Sequence, residues 1–280
     1  MISYVQAAIL GLLQGIAELF PISSLGHSVI LPSLLGWHLD QSSSQFVTFV
    51  VLTHLATALI LLGFFWRDWV SIIRGMVRSL YVREISEKDT YAKLGWLIII
   101  ATIPVGILGL LFQEHVTQLF AAPRLVAGAL ILNGVVLYLA EKLRTRAPEG
   151  KFNDLIIAKL SWSHAVGIGF AQCLALVPGF SRTGLTMTGG LINGLSHENA
   201  ARYAFLLATP VIFAAAVLKV PDLFVGGGTV IGPSLLGALC SAIAAYFSVR
   251  FLTKYFESKM LTPFAVYCVV AGGVSLLLLN

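Results

Sequence analysis

Residues 14–27 read QGIAELFPISSLGH and interrupt the first long apolar stretch of the chain. A second interruption, VPGFSRTG at residues 177–184, divides an apolar stretch in the other half. Both combine Pro, Gly and Ser, the residue types that end helices and form turns. Glu18, His27 and Arg182 lie within these two breaks. The breaks are therefore where the sequence carries most information about both fold and function.

The composition predicts an integral membrane protein. Apolar residues make up 58% of the 280 residues, charged residues make up 11%, and the mean hydropathy is +0.89. Soluble domains usually carry about 25% charged residues, so a soluble enzyme is disfavoured. The net charge of +5 is not concentrated on a soluble module, and we expect no nucleic-acid partner.

Ten apolar pieces can be separated along the chain. A bilayer span takes about 20 apolar residues, and six pieces have roughly that length. These six cover residues 45–66, 94–112, 124–140, 199–219, 230–252 and 262–279. The other four form two broken pairs, 3–20 with 24–37 and 164–177 with 183–195. We predict an all-α fold with six spanning helices and two re-entrant helix pairs, because broken backbone at membrane depth requires surrounding protein or a cavity.

The two halves of the chain also resemble each other around the breaks. GLLQGIA at residues 11–17 precedes the first break, and GFAQCLA at residues 169–175 precedes the second. This similarity predicts an internal repeat. We expect a single transmembrane domain over residues 1–280, with a first repeat over about 1–140 and a second over about 160–280.

Lys and Arg residues are distributed unevenly between the two sides of this arrangement. One side receives only Arg124 and Lys219 in its loops. The other receives Arg67, Arg74, Arg78, Arg83, Lys88, Lys93, Lys142, Arg144, Arg146, Lys151, Lys159, Arg250, Lys254 and Lys259. The basic side is predicted to be cytoplasmic, with both termini outside. The first broken pair then enters from outside and the second from the cytoplasm, so the topology is inverted and the breaks meet near the midplane.

Glu18 is the acidic residue placed well inside an apolar stretch. An ionisable group at that depth costs at least about 2.5–3.5 kcal/mol unless it has a partner or lines a cavity. Gln14 precedes it by one helical turn and lies on the same face. We expect Glu18 to be functional, and a structural hydrogen bond between helices is the alternative.

Ser23, Ser24 and His27 follow the first break. Serine favours helix N-caps, so a second short helix is expected to begin here. Ser24 and His27 would then lie one turn apart, close enough to hydrogen-bond as nucleophile and base or acid. A packed or interfacial histidine is the alternative for His27.

The second break contributes Ser181, Arg182 and Thr183. The planar guanidinium of Arg182 suits phosphate oxygens, and the N-termini of both returning helices attract anions. Together they predict a phosphate or diphosphate site facing His27. A simple ion pair between Arg182 and Glu18 is the alternative, and both can hold at once.

Weaker candidates surround this predicted site. Gln172 mirrors Gln14 and is expected either to bind at the breaks or to join helices. His54 and Arg202 lie in spanning segments and could support the site from behind, although for His54 we favour packing because its helix otherwise resembles core. The expected substrate-binding residues are Gln14, Ser23, Gln172, Ser181, Thr183 and Gly184.

The two quoted stretches resemble the paired signatures of the bacterial undecaprenyl pyrophosphate phosphatases of the bacitracin-resistance type, and the similarity covers nearly the whole chain. The resemblance implies a fold of interlocked inverted repeats. It also implies hydrolysis of undecaprenyl pyrophosphate to the monophosphate, which recycles the carrier lipid for cell-wall synthesis. Glu18, Ser24, His27 and Arg182 match the family's catalytic positions.

The resemblance further implies a multi-pass location in the bacterial cytoplasmic membrane, with the active site facing the periplasmic side. It implies a divalent cation, Mg²⁺ or Ca²⁺, with Glu18 as a ligand. The expected partners are the polyprenyl pyrophosphate lipid and the bilayer, with a homodimer left open. Two departures bear on this: Gln14 stands where many members have a second Glu, and Leu25 replaces the usual Ser or Thr.

Several questions about mechanism stay open at the level of sequence. Ser24, His27 or a water molecule could attack the terminal phosphorus. Inverted repeats with broken helices are also a transporter architecture, so a flippase of polyprenyl phosphate that uses the same site is the alternative function. A structural membrane scaffold is a weaker alternative, because it leaves Glu18, His27 and Arg182 unexplained.

Overall fold

The computed structural model describes residues 2–86, 89–144, 153–219 and 231–279, and these parts of the chain are helical and contain no strand. The helices are α1 Tyr4–Ala17, α2 Ser24–Leu34, α3 Ser44–Phe64, α4 Trp66–Val82, α5 Thr90–Leu111, α6 Gln113–Leu119, α7 Pro123–Leu143, α8 Asp154–Ala158, α9 Trp162–Cys173, α10 Arg182–Ile192, α11 His197–Lys219, α12 Ile231–Tyr255 and α13 Thr262–Leu278. The all-α prediction is confirmed for this described part.

Within the described residues, five helices (α3, α5, α7, α11 and α12) are long and apolar enough to cross a membrane. Each lies within a few residues of a predicted span. The sixth predicted span corresponds to α13, which is apolar but has 17 residues. Many large apolar side chains on the outside of these helices are exposed, which is the surface that lipid would cover.

Both predicted breaks separate two short helices. The first lies between α1 and α2, and the second lies between α9 and α10, where a single 3₁₀ turn, Leu174–Leu176, precedes the gap. Serines begin both returning helices: Ser23 Oγ accepts from Gly26 N at 3.1 Å and Ser181 Oγ accepts from Gly184 N at 3.1 Å. These caps satisfy N–H groups that the helix leaves unpaired.

The first helix of each broken pair packs against a long helix from the other half of the chain. Helix α1 packs against α12 and α9 packs against α5. Gly11 makes the first contact possible, because a Cβ there would collide with the backbone of Gly237. Gly169 approaches Ala101 and Pro104 in the same way. The two breaks are thereby held at the centre of the helix assembly.

In the described part of the chain, three helices lie in stretches predicted to be loops, namely α4, α6 and α8. Helix α4 buries Ile72, Gly75 and Ser79 and packs against α5. Helix α8 is tied to α4 and α11 by Arg202, whose guanidinium lies 2.7 Å from Asp154 and 2.8 Å from Asp68. The expectation that Arg202 supports the site from behind is therefore wrong, since it joins three helices elsewhere.

Some of the Lys and Arg residues that predict the orientation in the membrane cannot be located in the structure. Lys88, Arg146 and Lys151 lie outside the described residues, as does the side chain of Lys219.

Candidate active site

A cavity of about 270 Å³ lies between the two breaks. The first break contributes Glu18, Ser23 and Ser24 to its wall, and the second contributes Ser181 and Arg182. The remainder of the wall is mostly apolar and comes from α3, α5, α6 and α11. The part of the wall that the two breaks form, which we call the polar end, therefore belongs to a cavity that is otherwise mostly apolar, as in a site for an amphipathic molecule.

Glu18 is the centre of the polar end and is 7% exposed. Its Oε1 accepts from the guanidinium of Arg182. Its Oε2 accepts from Gln14 Nε2 at 3.1 Å and lies 3.0 Å from His54 Nε2. We call Gln14, Glu18, Ser24, His54 and Arg182 the Glu18 cluster. The predicted contact between Arg182 and Glu18 is confirmed, so the two breaks do meet.

Ser24 is the first residue of α2 and points its hydroxyl at this carboxylate. Its Oγ donates to Glu18 Oε2 and lies 3.4 Å from His54 Nε2. The residue is buried and borders the cavity. A hydroxyl held against a carboxylate at a cavity wall is the arrangement that a nucleophile with an adjacent base requires.

The predicted hydrogen bond between Ser24 and His27 is wrong. His27 Nδ1 lies 2.6 Å from the Ser23 carbonyl oxygen, and Nε2 lies 2.8 Å from the hydroxyl of Tyr267, whose ring stacks on the imidazole. The reason is local. In the first turn of α2, the Ser23 carbonyl lies one helical turn before His27, and the imidazole hydrogen-bonds to this carbonyl instead of to Ser24. His27 is not among the residues that border the described cavity.

Direct hydrogen bonds join the two breaks. Ser23 Oγ accepts from Gly179 N at 3.1 Å, and Thr183 Oγ1 donates to the Glu18 carbonyl oxygen at 2.9 Å. Asn133 of α7 completes the junction, because its amide donates to the Pro21 carbonyl at 3.1 Å and accepts from Ser181 N at 2.9 Å. The relative position of the breaks is thus fixed by bonds that involve no ionised group.

Five of the predicted substrate-binding residues make structural contacts. Ser23 and Ser181 cap helices and also border the cavity. Thr183 and Gly184 are buried against the first break instead. Gln172 borders the cavity, and its Nε2 donates to the Ala101 carbonyl at 3.0 Å rather than to the opposite break.

His54, Asn133 and Tyr267 are site or junction residues that the sequence reading missed or underrated. His54 was interpreted as packing, yet it borders the cavity and contacts Glu18. Asn133 is fully buried in a spanning helix. An amide or imidazole in such a helix needs a polar partner, and this was the available signal.

The metal-binding potential of the site is limited. No group of three or more His, Cys, Asp and Glu side chains within the described ranges could hold a metal ion. Glu18 is the carboxylate at the cavity, and the buried Oε1 of Gln14 beside it has no hydrogen-bond partner. Mg²⁺ is often held by one or two carboxylates together with substrate phosphates. The residues therefore fit a cation that binds together with a diphosphate.

Comparison with known proteins agrees with this site. The family model described as "Bacitracin resistance protein BacA" matches residues 7–274. The chain belongs to the BacA family. Proteins of similar sequence include the undecaprenyl-diphosphatase of Mycolicibacterium paratuberculosis, which is 47% identical over 98% of this chain and 97% of the relative. Undecaprenyl-diphosphatase 2 of Burkholderia orbicola is 46% identical over 94% of this chain and 92% of the relative.

BacA membership and the apolar helices together identify a multi-pass membrane protein. The matched region contains both breaks and every residue of the Glu18 cluster.

Proposed function

We propose that this protein hydrolyses undecaprenyl diphosphate to undecaprenyl monophosphate within a bacterial membrane. The observation that carries the proposal is the Glu18 cluster beside a cavity whose remaining wall is mostly apolar. Relatives that align over nearly the whole chain are named undecaprenyl-diphosphatases, which favours hydrolysis over transport.

The diphosphate group is bound at the polar end of the cavity. Arg182 supplies a positive charge there, and the N-termini of α2 and α10 border the same space. Guanidinium groups and helix N-termini both bind phosphate oxygens. At about 30 Å³ per water molecule, the cavity has room for roughly nine waters. A headgroup and the first part of the lipid fit inside, so most of the isoprenyl tail must leave between helices into lipid.

Ser24 is the attacking group that this geometry favours. As the diphosphate oxygens draw Arg182 away from Glu18, the carboxylate becomes free to take the Ser24 proton. The bond from Ser24 Oγ to the terminal phosphorus then forms, the bond from that phosphorus to the bridging oxygen breaks, and undecaprenyl monophosphate leaves. Glu18 gives the proton that it took from Ser24 to the bridging oxygen of the departing monophosphate. Water next attacks the phosphorus of phosphoserine while Glu18 takes a proton from the water. The bond from Ser24 Oγ to phosphorus breaks, Glu18 returns the proton to Oγ, and inorganic phosphate is released.

A divalent cation, Mg²⁺ or Ca²⁺, would be held by Glu18 together with the diphosphate. Such a cation offsets negative charge on the phosphoryl oxygens.

The membrane arrangement follows from the same proposal. The two broken pairs are re-entrant, they belong to inverted repeats of about residues 1–140 and 160–280, and α13 is the sixth span. The protein resides in the cytoplasmic membrane, both termini lie outside, and the active site faces the periplasmic side. The crossed packing of α1 on α12 and of α9 on α5 supports the repeat, and the Lys and Arg distribution supports the orientation.

Phosphate release from undecaprenyl diphosphate by the purified protein in detergent tests the function. We expect release by the intact chain and loss of about 10⁴-fold or more in kcat for Ser24→Ala, since removing a nucleophile has effects of this order. Single-turnover reaction with substrate labelled in the terminal phosphate should place label on Ser24.

Ser33→Ala is the matched control, because Ser33 lies on the same helix and its hydroxyl donates to the Val29 carbonyl. It should retain full activity. No phosphate release by the intact protein would refute the proposed function. Normal release by Ser24→Ala would instead refute Ser24 as the attacking group and favour water.

A further inference from the structure

His54 stands apart from the other members of the Glu18 cluster by its position in the chain. It belongs to α3, a spanning helix outside both breaks, and it is the histidine that borders the cavity in the described part of the chain. Its side chain is 14% exposed. A histidine held only for packing has no need to face a cavity and a carboxylate.

The hydrogen-bond partners of the two ring nitrogens of His54 indicate the role of each nitrogen. Nδ1 lies 2.8 Å from the Val50 carbonyl oxygen, which can only accept, so Nδ1 donates there and fixes the plane of the ring. Nε2 is thereby directed at Glu18 Oε2, 3.0 Å away, with Ser24 Oγ at 3.4 Å. Nε2 is therefore the nitrogen that touches the reacting groups.

Because the Val50 carbonyl and the Glu18 carboxylate can only accept, the ring carries a proton on both nitrogens in this arrangement. We propose that His54, in this imidazolium form, is a positioning residue for phosphoryl transfer, in which Nε2 donates to Glu18 and holds its carboxylate against the Ser24 hydroxyl. This inference rests on the proposed function. The three other donors to the Glu18 carboxylate, Gln14, Ser24 and Arg182, come from the helices of the breaks. His54 adds a donor from a third, continuous helix, so the carboxylate keeps its orientation when the substrate draws Arg182 away.

Replacing one nitrogen at a time tests the assignment. Glutamine places an amide nitrogen near the position of Nε2, whereas asparagine reaches only the position of Nδ1. We expect His54→Leu and His54→Asn to lower kcat by about 10²-fold, with KM within about threefold, because small misplacements of reacting groups have effects of this size. His54→Gln should remain within about tenfold of the intact protein.

His38→Leu is the matched control, since His38 is exposed in the segment between α2 and α3. It should behave as the intact protein does. Full kcat in His54→Leu would overturn the proposal. So would equal losses in His54→Gln and His54→Leu at equal amounts of monodisperse, folded protein, because a hydrogen bond from Nε2 would then not be what matters.

A second readout does not depend on activity. If His54 and Glu18 interact, the loss of Tm in the double variant Glu18→Gln/His54→Leu should be smaller than the sum of the two single losses. Additive losses would overturn the coupling. Failure of the intact protein to release phosphate would count against the proposed function alone, because this unfolding cycle would still measure the contact.

Discussion

The two breaks are built alike and carry opposite chemistry. Each begins its returning helix with a serine cap, at Ser23 and at Ser181. Each also contains a residue of positive φ, which is Ser23 at 67° in the first break and Gly179 at 110° in the second. The first break supplies an anion and a hydroxyl, and the second supplies a cation.

The two breaks have similar backbones but differ in what their matching glutamines contact. Gln14 and Gln172 occupy matching places before the breaks, and each has a buried side-chain oxygen without a partner in the described structure. Gln14 donates to the Glu18 carboxylate, whereas Gln172 donates to a helix carbonyl. Similar backbones thus hold complementary charges, and the site exists only where the breaks meet. Variants that alter one break at a time should therefore have unequal effects.

After the loss of the Ser24 hydroxyl itself, replacing the planar guanidinium of Arg182 should have the largest effect on kcat. In Arg182→Lys the charge remains, but the planar pair of donors that reaches Glu18 and the Ala208 carbonyl is lost. We expect kcat to fall by about 10²–10³-fold in the phosphate-release assay, the size seen when one donor to a reacting centre is removed. Arg124→Lys is the control, since Arg124 contacts the Leu279 carbonyl and should tolerate lysine. Equal activity of the two variants would contradict the role given to the second break.

Substitution of His27, which hydrogen-bonds to the first break, should have the next largest effect on kcat. His27 Nδ1 is hydrogen-bonded to the Ser23 carbonyl. The Ser23 hydroxyl in turn accepts from Gly179 N and caps α2. We expect His27→Leu to lower kcat by about 10²-fold through misplacement of Ser24. His27→Asn should lower kcat less than His27→Leu does, because asparagine keeps a donor near the position of Nδ1. At His54, by contrast, asparagine is expected to be as harmful as leucine.

Tyr267→Phe separates this explanation from direct catalysis by His27. It removes only the bond to Nε2 of His27, a residue that does not border the described cavity, and kcat should change by less than about threefold. A loss as large as that of His27→Leu would mean that Nε2, and not Nδ1, carries the function of His27.

The sequence was most informative about the breaks themselves. Two interruptions with serine caps, and one acidic and one basic residue at depth, were enough to predict that Glu18 and Arg182 meet. Long apolar runs were also enough to predict five of the spanning helices. These features are local, because each follows from the cost of burying a charge or of leaving backbone groups unpaired.

Side-chain direction around the site could not be predicted in the same way. The spacing of Ser24 and His27 allows a hydrogen bond, but the Ser23 carbonyl and Tyr267 compete for the imidazole, and Tyr267 is distant in sequence. His54 reaches the cavity through the packing of α3 on α11 and α12, which no local pattern encodes. Helix α4 was missed because its apolar residues are interspersed with arginines.

The neutral bridge between the breaks should affect stability more than chemistry. Asn133→Leu leaves the Pro21 carbonyl and Ser181 N buried without partners, and each such group costs about 1–3 kcal/mol. We expect a lower Tm and a loss of about tenfold in kcat, measured by thermal unfolding and phosphate release. Asn193→Leu is the control, because Asn193 bonds only within the end of its own helix, to the Gly189 carbonyl. An unchanged Tm in Asn133→Leu would mean that the breaks meet without this bridge.

The smallest effects should distinguish the two matching glutamines. Gln14→Leu removes a donor to Glu18, and a hydrogen bond to a charged group contributes about 1.5–3 kcal/mol, so kcat should fall by about tenfold. Gln172→Leu removes only a bond to the Ala101 carbonyl, so Tm should fall while kcat stays within about threefold. The pair is informative because both substitutions remove the same side chain from the same place before a break. If Gln172→Leu lowered kcat as much as Gln14→Leu, the division of labour between the two breaks would be wrong, and the cavity face of Gln172 would have to belong to the reacting site.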